Sequence, residues 1–384
     1  MLEQTQSPEA PSSMRSREVR VASSLVFYFD RTAFVAHNFL TGSSCSITVT
    51  AQWILSNSQE WIKEDALIHG LPGVDPSVLA LEISQLVEST MLMVSGSAVE
   101  AANSEYEHKW LWGPIPGLYH FGIKDTQYGD PDEATSWLVE HANYAPPVPL
   151  LRDNSMCSSV VPLGRPPLND GILHYMKRRR SYRGFARTAL SSAALSRCLF
   201  AGFGVTAFAR TGVVGHDDIP LKFAPSAGGR NPFDGFVVVR NVEGVSPGAY
   251  HYCGVQGTLG LVSSHVAHTY GELLAGQPWF DNAAVVVFLV ANFQRTMWKY
   301  PHHSAYRVVL LEAGHIAQNI LLAATDFELA SAPTSAIADT LVETTFRLDR
   351  TLHGALYAVG LGVAGPEPSQ ADIPRIAFIR ETTA

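Results

Sequence analysis

The segment Lys177–Arg187, KRRRSYRGFAR, carries six basic residues in eleven and no acidic one. A solvated basic loop has that composition, and so does a nucleic-acid or import patch. The chain as a whole has 27 Lys and Arg against 35 Asp and Glu, a net charge of −8, and a nucleic-acid surface calls for a basic excess. Such concentrated charge suits one compact anion instead, such as a phosphate ester. Arginine forks pair with phosphate oxygens two at a time, and a serine hydroxyl adds a further hydrogen bond.

A second segment, Gln294–Arg307, reads QRTMWKYPHHSAYR. Neighbours on a helix or strand do not face the same way, so Lys299 and Tyr300 serve one site only where the backbone is irregular. Pro301 supplies the irregularity, because it pushes Tyr300 out of the helical region, and a helix through 294–299 should stop at this pair. An ammonium beside a phenol favours the phenolate, which makes a base. The plainer alternative is a surface lysine beside a packed tyrosine. His302 and His303 are adjacent rather than at metal-ligand spacing and read as loop residues.

A third segment, Ala224–Asp234 (APSAGGRNPFD), has the small residues that let backbone approach a flat ligand, although an ordinary turn before a strand has them too. Finally, Glu312, His315 and Asn319 lie at i, i+3 and i+7 of an apolar helical pattern. A polar stripe there must be paired, which predicts a hydrogen-bonded packing seam at a subunit or cofactor boundary rather than a catalytic face.

The elements around these residues are legible from periodicity. Arg307–Asp326 predicts a long helix, apolar almost all round and so buried on most sides. The run Ala283–Ala291 (AAVVVFLVA) is too short to span a membrane and predicts a buried strand. Residues 235–239, 249–252 and 357–361 read as further strands, giving an α+β or α/β core. Six of the 23 prolines fall between Ala145 and Asp170. They predict a linker over 145–169 between an N-terminal domain, 19–144, and a C-terminal domain, 170–384, with a disordered tail over 1–18. In the N-terminal domain, residues 19–30 read as a strand. Asp75-Pro76-Ser77 opens a helix, and MLMVSGSA reads as a strand entering a turn. Helix followed by a small hairpin is a winged-helix pattern. The aromatic stretch Trp110–Phe121 reads as a small core or as a peptide-docking surface. Hydrophobic residues make up 46%, which excludes disorder of the whole chain. The four cysteines show no metal spacing, and no signal-peptide stretch opens the sequence, so a reduced, cytoplasmic protein is expected.

Taken in order, Arg179-Arg180-Ser181-Tyr182-Arg183, Pro225-Ser226-Ala227-Gly228-Gly229, Gly248–Tyr252, Lys299-Tyr300, and Glu312–His315 with Gln318-Asn319 resemble the flavin-dependent nitroreductase superfamily. More closely they resemble its SagB/ThcOx-type branch, the azoline dehydrogenases of ribosomal peptide maturation. The resemblance spans about residues 170–365. It implies an α+β fold, a mainly antiparallel sheet flanked by helices, preceded here by the winged-helix-like α+β domain. It also implies a homodimer with FMN at the interface. Arg179, Arg180, Ser181 and Arg183 would hold FMN. Pro225, Ser226, Ala227 and Gly228 would line the ring from the other subunit. Ser335 and Ala336 would present a backbone N–H to flavin N5, and Arg375 or Arg380 would be a second phosphate contact. By the same resemblance Lys299 and Tyr300 are catalytic: Tyr300 removes a Cα proton from a thiazoline or oxazoline, Lys299 stabilises the anion, and hydride passes to the flavin. Implied partners are a peptide substrate, engaged through a leader peptide by the N-terminal domain, and a cyclodehydratase complex. Two departures stand out: GGRNPFD follows PSA, and proline follows Lys-Tyr. Two other functions fit the same residues. One is an NAD(P)H-dependent reductase of an activated alkene such as dehydroalanine, or of a nitro group. The other is a non-catalytic peptide-binding subunit of a modification complex.

Overall fold

A computed structural model describes residues 17–126, 131–145, 150, 161, 166–168, 171–213 and 216–366. Most of the Pro-rich segment 145–169 lies outside the described residues, as do Arg375, Arg380 and residues 1–16 of the expected tail. Glu18, the tail's last residue, begins a strand. By its contacts the chain divides into two units, Met1–Ile123 and Lys124–Ala384.

In the first unit the strand expected over 19–30 is two strands, β1 (Glu18–Val21) and β2 (Leu25–Asp30), in different sheets. The break has a local cause. Ser23 N donates to Asn103 Oδ1 at 3.0 Å and Ser24 Oγ to Asn38 Oδ1 at 2.8 Å, so these serines bond to side chains instead of a ladder. β2 pairs with β3 (Ala33–Asn38), and β3 with β4 (Ser43–Ser46). Then come α1 (Val49–Ser56), β5 (Ile62–Lys63), α2 (Glu64–Ile68), α3 (Pro76–Glu88) and β6 (Leu92–Val94). The unit closes with α4 (Ala98–Lys109) and α5 (Pro114–Gly122). Asp75 caps α3 by accepting from Ser77 N at 2.9 Å, and Pro76 occupies the first turn. Val19, Ile54, Leu67, Leu79, Ile83 and Leu92 share one core. Helices α2, α3 and α4 contact the three-stranded antiparallel sheet β5-β1-β6. In that sheet β6 pairs with β1 rather than with a following strand, because the turn after it runs straight into α4, capped by Ser97. Trp110, Trp112, His120 and Phe121 are buried, so the aromatic stretch is mainly core, while Leu111 and Tyr119 are exposed.

The second unit contains α6 (Pro131–Tyr144), α7 (Gly171–Arg178), α8 (Ser192–Phe203), β7 (Ala207–Val213), β8 (His216–Leu221), β9 (Phe233–Val239), β10 (Gly248–Cys253) and β11 (Thr258–Ser263). It continues through α9 (Tyr270–Leu273), β12 (Val285–Asn292), α10 (Phe293–Met297), α11 (Ala305–Asp326), β13 (Leu329–Thr334), α12 (Asp339–Phe346) and β14 (His353–Val363). Six strands form an antiparallel sheet in the order β11-β10-β9-β12-β14-β13. β12 lies between β9 and β14, and Val285–Ala291 are fully buried. A central strand covered on both faces needs apolar residues at every position, which is why this run does not alternate. Helices α8 and α11 pack together, α8 against β9 and α11 against β13 and β14, while α12 packs on β10 and β14.

The long helix corrects its expectation. It buries Val309, Glu312, Ala313, Ile316, Ala317 and Ile320 along one face, but Leu311, His315 and Gln318 on the other are exposed. Within this unit α11 has its neighbours on one side only, so an apolar face is left outward. Phe288, in the middle of β12, meets Phe346 edge-on at 5.6 Å in the core shared with Tyr270 and Phe280. Phe288→Ala should lower unfolding free energy by about 3–5 kcal/mol, read as an earlier midpoint in a urea titration.

Candidate functional site

Among the sequence-derived candidates, Lys299 and Tyr300 meet a glycine. α10 ends at Met297, and the N–H groups of Lys299 and Tyr300 both donate to Thr296 O, at 3.2 and 2.9 Å. The helical bonding runs out at this pair, with Pro301 next in the chain, and the two adjacent side chains reach the same place. That place is Gly228. A Cβ there would overlap Tyr300 Oη and lie 2.8 Å from Lys299 Nζ. Lys299 Nζ also donates to Gly228 O at 3.4 Å and lies 5.5 Å from the Tyr300 ring centre. Gly228 and Gly229 have φ of 58° and 67° within a short 3-10 turn over Ala227–Gly229. Left-handed backbone and the close approach both call for glycine at 228.

The turn is held from beneath. Ser226 Oγ accepts from Asn231 N at 2.8 Å, and the Glu312 carboxyl lies beneath, near enough to the Ser226 hydroxyl and Ala227 N–H to feel both. Asn231 Nδ2 donates to Pro220 O and Gly229 O, both at 3.0 Å. Arg295 forks onto Asp234 at 3.0 and 2.7 Å and donates to Asn231 O at 3.0 Å. Lys222 sits among these charges and donates to Phe233 O at 3.3 Å. Burial pushes the Glu312 carboxyl up to about 7, against the opposing pull of the Ser226 hydroxyl, the Lys222 ammonium and the Ala227 N–H. Burial likewise lowers Lys222, with Asp234 and Glu312 acting to restore it.

The predicted polar stripe on α11 therefore separates. Glu312 lies under the 226–229 turn, His315 is exposed, and Asn319 lines an apolar groove with Ile172, Tyr175 and Phe200. A shared helix face did not bring shared partners, because different elements cover each turn of the helix.

The arginine segment lies elsewhere on the sheet. Tyr182 N donates to Ser331 O at 2.9 Å, which runs residues 179–183 along the free edge of β13. Arg179 is half-buried, and Arg180, Ser181 and Arg183 are exposed. Arg180 Nη1 donates to Arg179 O at 2.6 Å. Among the described residues the side chains of Arg179, Ser181 and Arg183 form no hydrogen bond or ion pair, so two guanidinium groups and a hydroxyl are available to an anion. The loop after β13 is braced: Ala336 N donates to Thr334 Oγ1 at 3.1 Å, and Gln277 Nε2 donates to that oxygen and to Ala336 O at 3.0 and 3.2 Å. Ser335 is exposed. From β9, which follows the 225–229 turn, to β13 is three strand steps, roughly 14 Å. One chain thus presents two groups of candidate residues on opposite sides of β12 and β14: 179–183 with 333–336, and 225–229 with 299–300. Lys222, Asp234, Arg295 and the reach of Glu312 to the turn were not predicted. Asp234 and Arg295 are 61 residues apart, and no spacing rule joins them.

Comparison with known proteins places this unit. The profile of the Nitroreductase family matches residues 176–363. A protein of Methanocaldococcus jannaschii named as a nitroreductase is 32% identical over 163 residues, 42% of this chain and 77% of that protein. The chain belongs to the Nitroreductase family, whose members are typically FMN-dependent oxidoreductases. The trifolitoxin-processing protein TfxB of Rhizobium leguminosarum bv. trifolii is 28% identical over 142 residues, 36% of this chain and only 38% of that protein. Among solved structures, a protein from Anabaena variabilis named as a nitroreductase gives a TM-score of 0.41 at 26% identity, over 48% of this chain and 40% of that one. A chain of the E. coli microcin synthetase McbBCD complex with truncated pro-MccB17 bound gives 0.41 at 19% identity, over 62% and 96%.

Because Glu312 keeps its proton in the folded state at pH values where an unfolded carboxyl has lost it, its contribution to stability is complete below about 4.5 and falls as pH rises to about 7. Glu312→Gln should flatten the pH dependence of the urea midpoint across that window, leaving the region above it unchanged in slope.

Proposed function

We propose that the protein is an FMN-dependent dehydrogenase that oxidises a thiazoline or oxazoline ring of a peptide to the azole. The observation that carries this reading is the convergence of Lys299 and Tyr300 on Gly228. An adjacent cation and phenol side by side, over a turn with no side chain in the way, is an arrangement that abstracts a proton from a flat ring lying against backbone. Similarity to TfxB, a processing protein for trifolitoxin, supports a peptide as substrate.

The residues fit the cofactor. Arg179 and Arg183 offer unpaired guanidinium groups and Ser181 a free hydroxyl among the described residues, the donor set a phosphate ester takes. When bound, FMN supplies the hydride acceptor. In this reading Tyr300 Oη takes the ring proton, and the Lys299 ammonium steadies the charge that develops. The 225–229 turn, braced by Glu312, Asn231 and the Asp234–Arg295 pair, keeps both in register with the substrate. Two copies are needed, because the donor set of one chain and the 225–229 turn of the other would face a shared site. The exposed apolar side chains Ile172, Phe200, Phe223 and Leu311 suit such a contact.

The purified protein should show bound-flavin absorbance and a mass in solution twice 41.7 kDa. A colourless preparation that takes up no added FMN would refute the assignment. With a thiazoline-bearing peptide, Tyr300→Phe should cut turnover roughly 10²–10⁴-fold with flavin content unchanged; full activity in both Tyr300→Phe and Lys299→Ala would make the pair structural. The M. jannaschii relative's name favours a second reading, a reductase drawing hydride from NAD(P)H. Fast anaerobic bleaching of the flavin by NADPH, with no reduction by the thiazoline peptide, would select it.

A further inference from the structure

A cleft of about 480 Å³ opens beside the Lys299–Tyr300 pair, and its walls include Pro220, Arg230, Asn292, Arg295 and Trp298. The chain passes directly from this wall, at Trp298, into Lys299. One of the lining groups has unmet chemistry. Arg230 is only 8% exposed. Its guanidinium lies over the Trp298 ring, 5.3 Å from the centroid, and its Nε donates to Gly228 O at 3.2 Å. Among the described residues no carboxylate pairs with it. Of the other charges lining the cleft, Arg295 is engaged by Asp234, and the Asp218 carboxylate lies 3.6 Å from the exposed Arg210.

A buried cation without a counter-charge is costly in an empty protein. A carboxylate satisfies it by taking the two terminal nitrogens of the guanidinium fork. The Trp298 face fixes the plane of the guanidinium, which limits the fork to one approach.

We propose that this cleft is a carboxylate-recognition subsite. Arg230 pairs with an acidic group of the peptide and anchors the chain next to the ring acted on at Lys299 and Tyr300. The inference rests on the peptide reading above for its role, but it is tested by binding rather than turnover, so the two can fail separately.

The experiment is calorimetric titration of the flavin-loaded protein with three peptides that carry no azoline. These are acetyl-Ala-Ala-Ala with a free C-terminal carboxylate, the same peptide as its amide, and acetyl-Ala-Glu-Ala amide. At least one acidic peptide should bind tenfold or more tightly than the neutral amide, and which one does identifies a C-terminus or a side chain as the source of the carboxylate. Arg230→Gln should abolish that difference, and Arg230→Lys should retain part of it, with thermal unfolding used to confirm that each variant is folded. Should Arg230→Gln fail to fold, the wild-type comparison decides alone. Equal binding of all three peptides, binding of none, or a difference that survives in folded Arg230→Gln would overturn the subsite.

Discussion

The site depends on an absence of atoms. Gly228 has no side chain, adopts a left-handed conformation, and so lets Tyr300 Oη and Lys299 Nζ approach the backbone of the 225–229 turn together. Any L-residue there would be strained twice, by its φ and by collision with the pair. Both sides must conform: the glycine turn provides room, and the helix end at Trp298, stopped by Pro301, provides two side chains from consecutive positions.

Beneath that contact, Asp234 and the part-buried Arg295 form a two-bonded fork, and the buried Glu312 lies against the Ser226 hydroxyl and the Ala227 N–H. Such groups hold position because moving one partner leaves the other unsatisfied. The raised Glu312 carboxyl shows the limit of that compensation, since removal from water outweighs the hydrogen bonds and the Lys222 ammonium it gains. The turn is therefore stiff by polar bonding, while the sheet that carries it is stiff by packing around β12.

Much of this was legible. The nine-residue apolar run became β12, Asp75-Pro76-Ser77 became a capped helix start, and the stop before Pro301 fell at α10. Local rules fix such features, since each concerns a few neighbouring residues. Legibility failed where a partner was distant. The segment 19–30 looks like one strand until Asn38 and Asn103 pull the serines out of line. The α11 stripe looks like one seam until the 226–229 turn claims Glu312 and leaves His315 to solvent. The helix looks buried all round because composition reports apolar surface, not what covers it.

Sequence alone determined the element types, the family resemblance, and the candidacy of Arg179–Arg183, Pro225–Gly229 and Lys299-Tyr300, because motif order and backbone rules are written along the chain. Only tertiary structure decided that Lys299 and Tyr300 meet Gly228, that Asp234 finds Arg295, that the arginine segment runs on the far edge of the sheet from the glycine turn, and that Arg230 is left without a carboxylate. Those are contacts between residues tens to more than a hundred positions apart. They are set by how the sheet orders its strands and by which charges burial forces together, and neither is encoded in any local spacing.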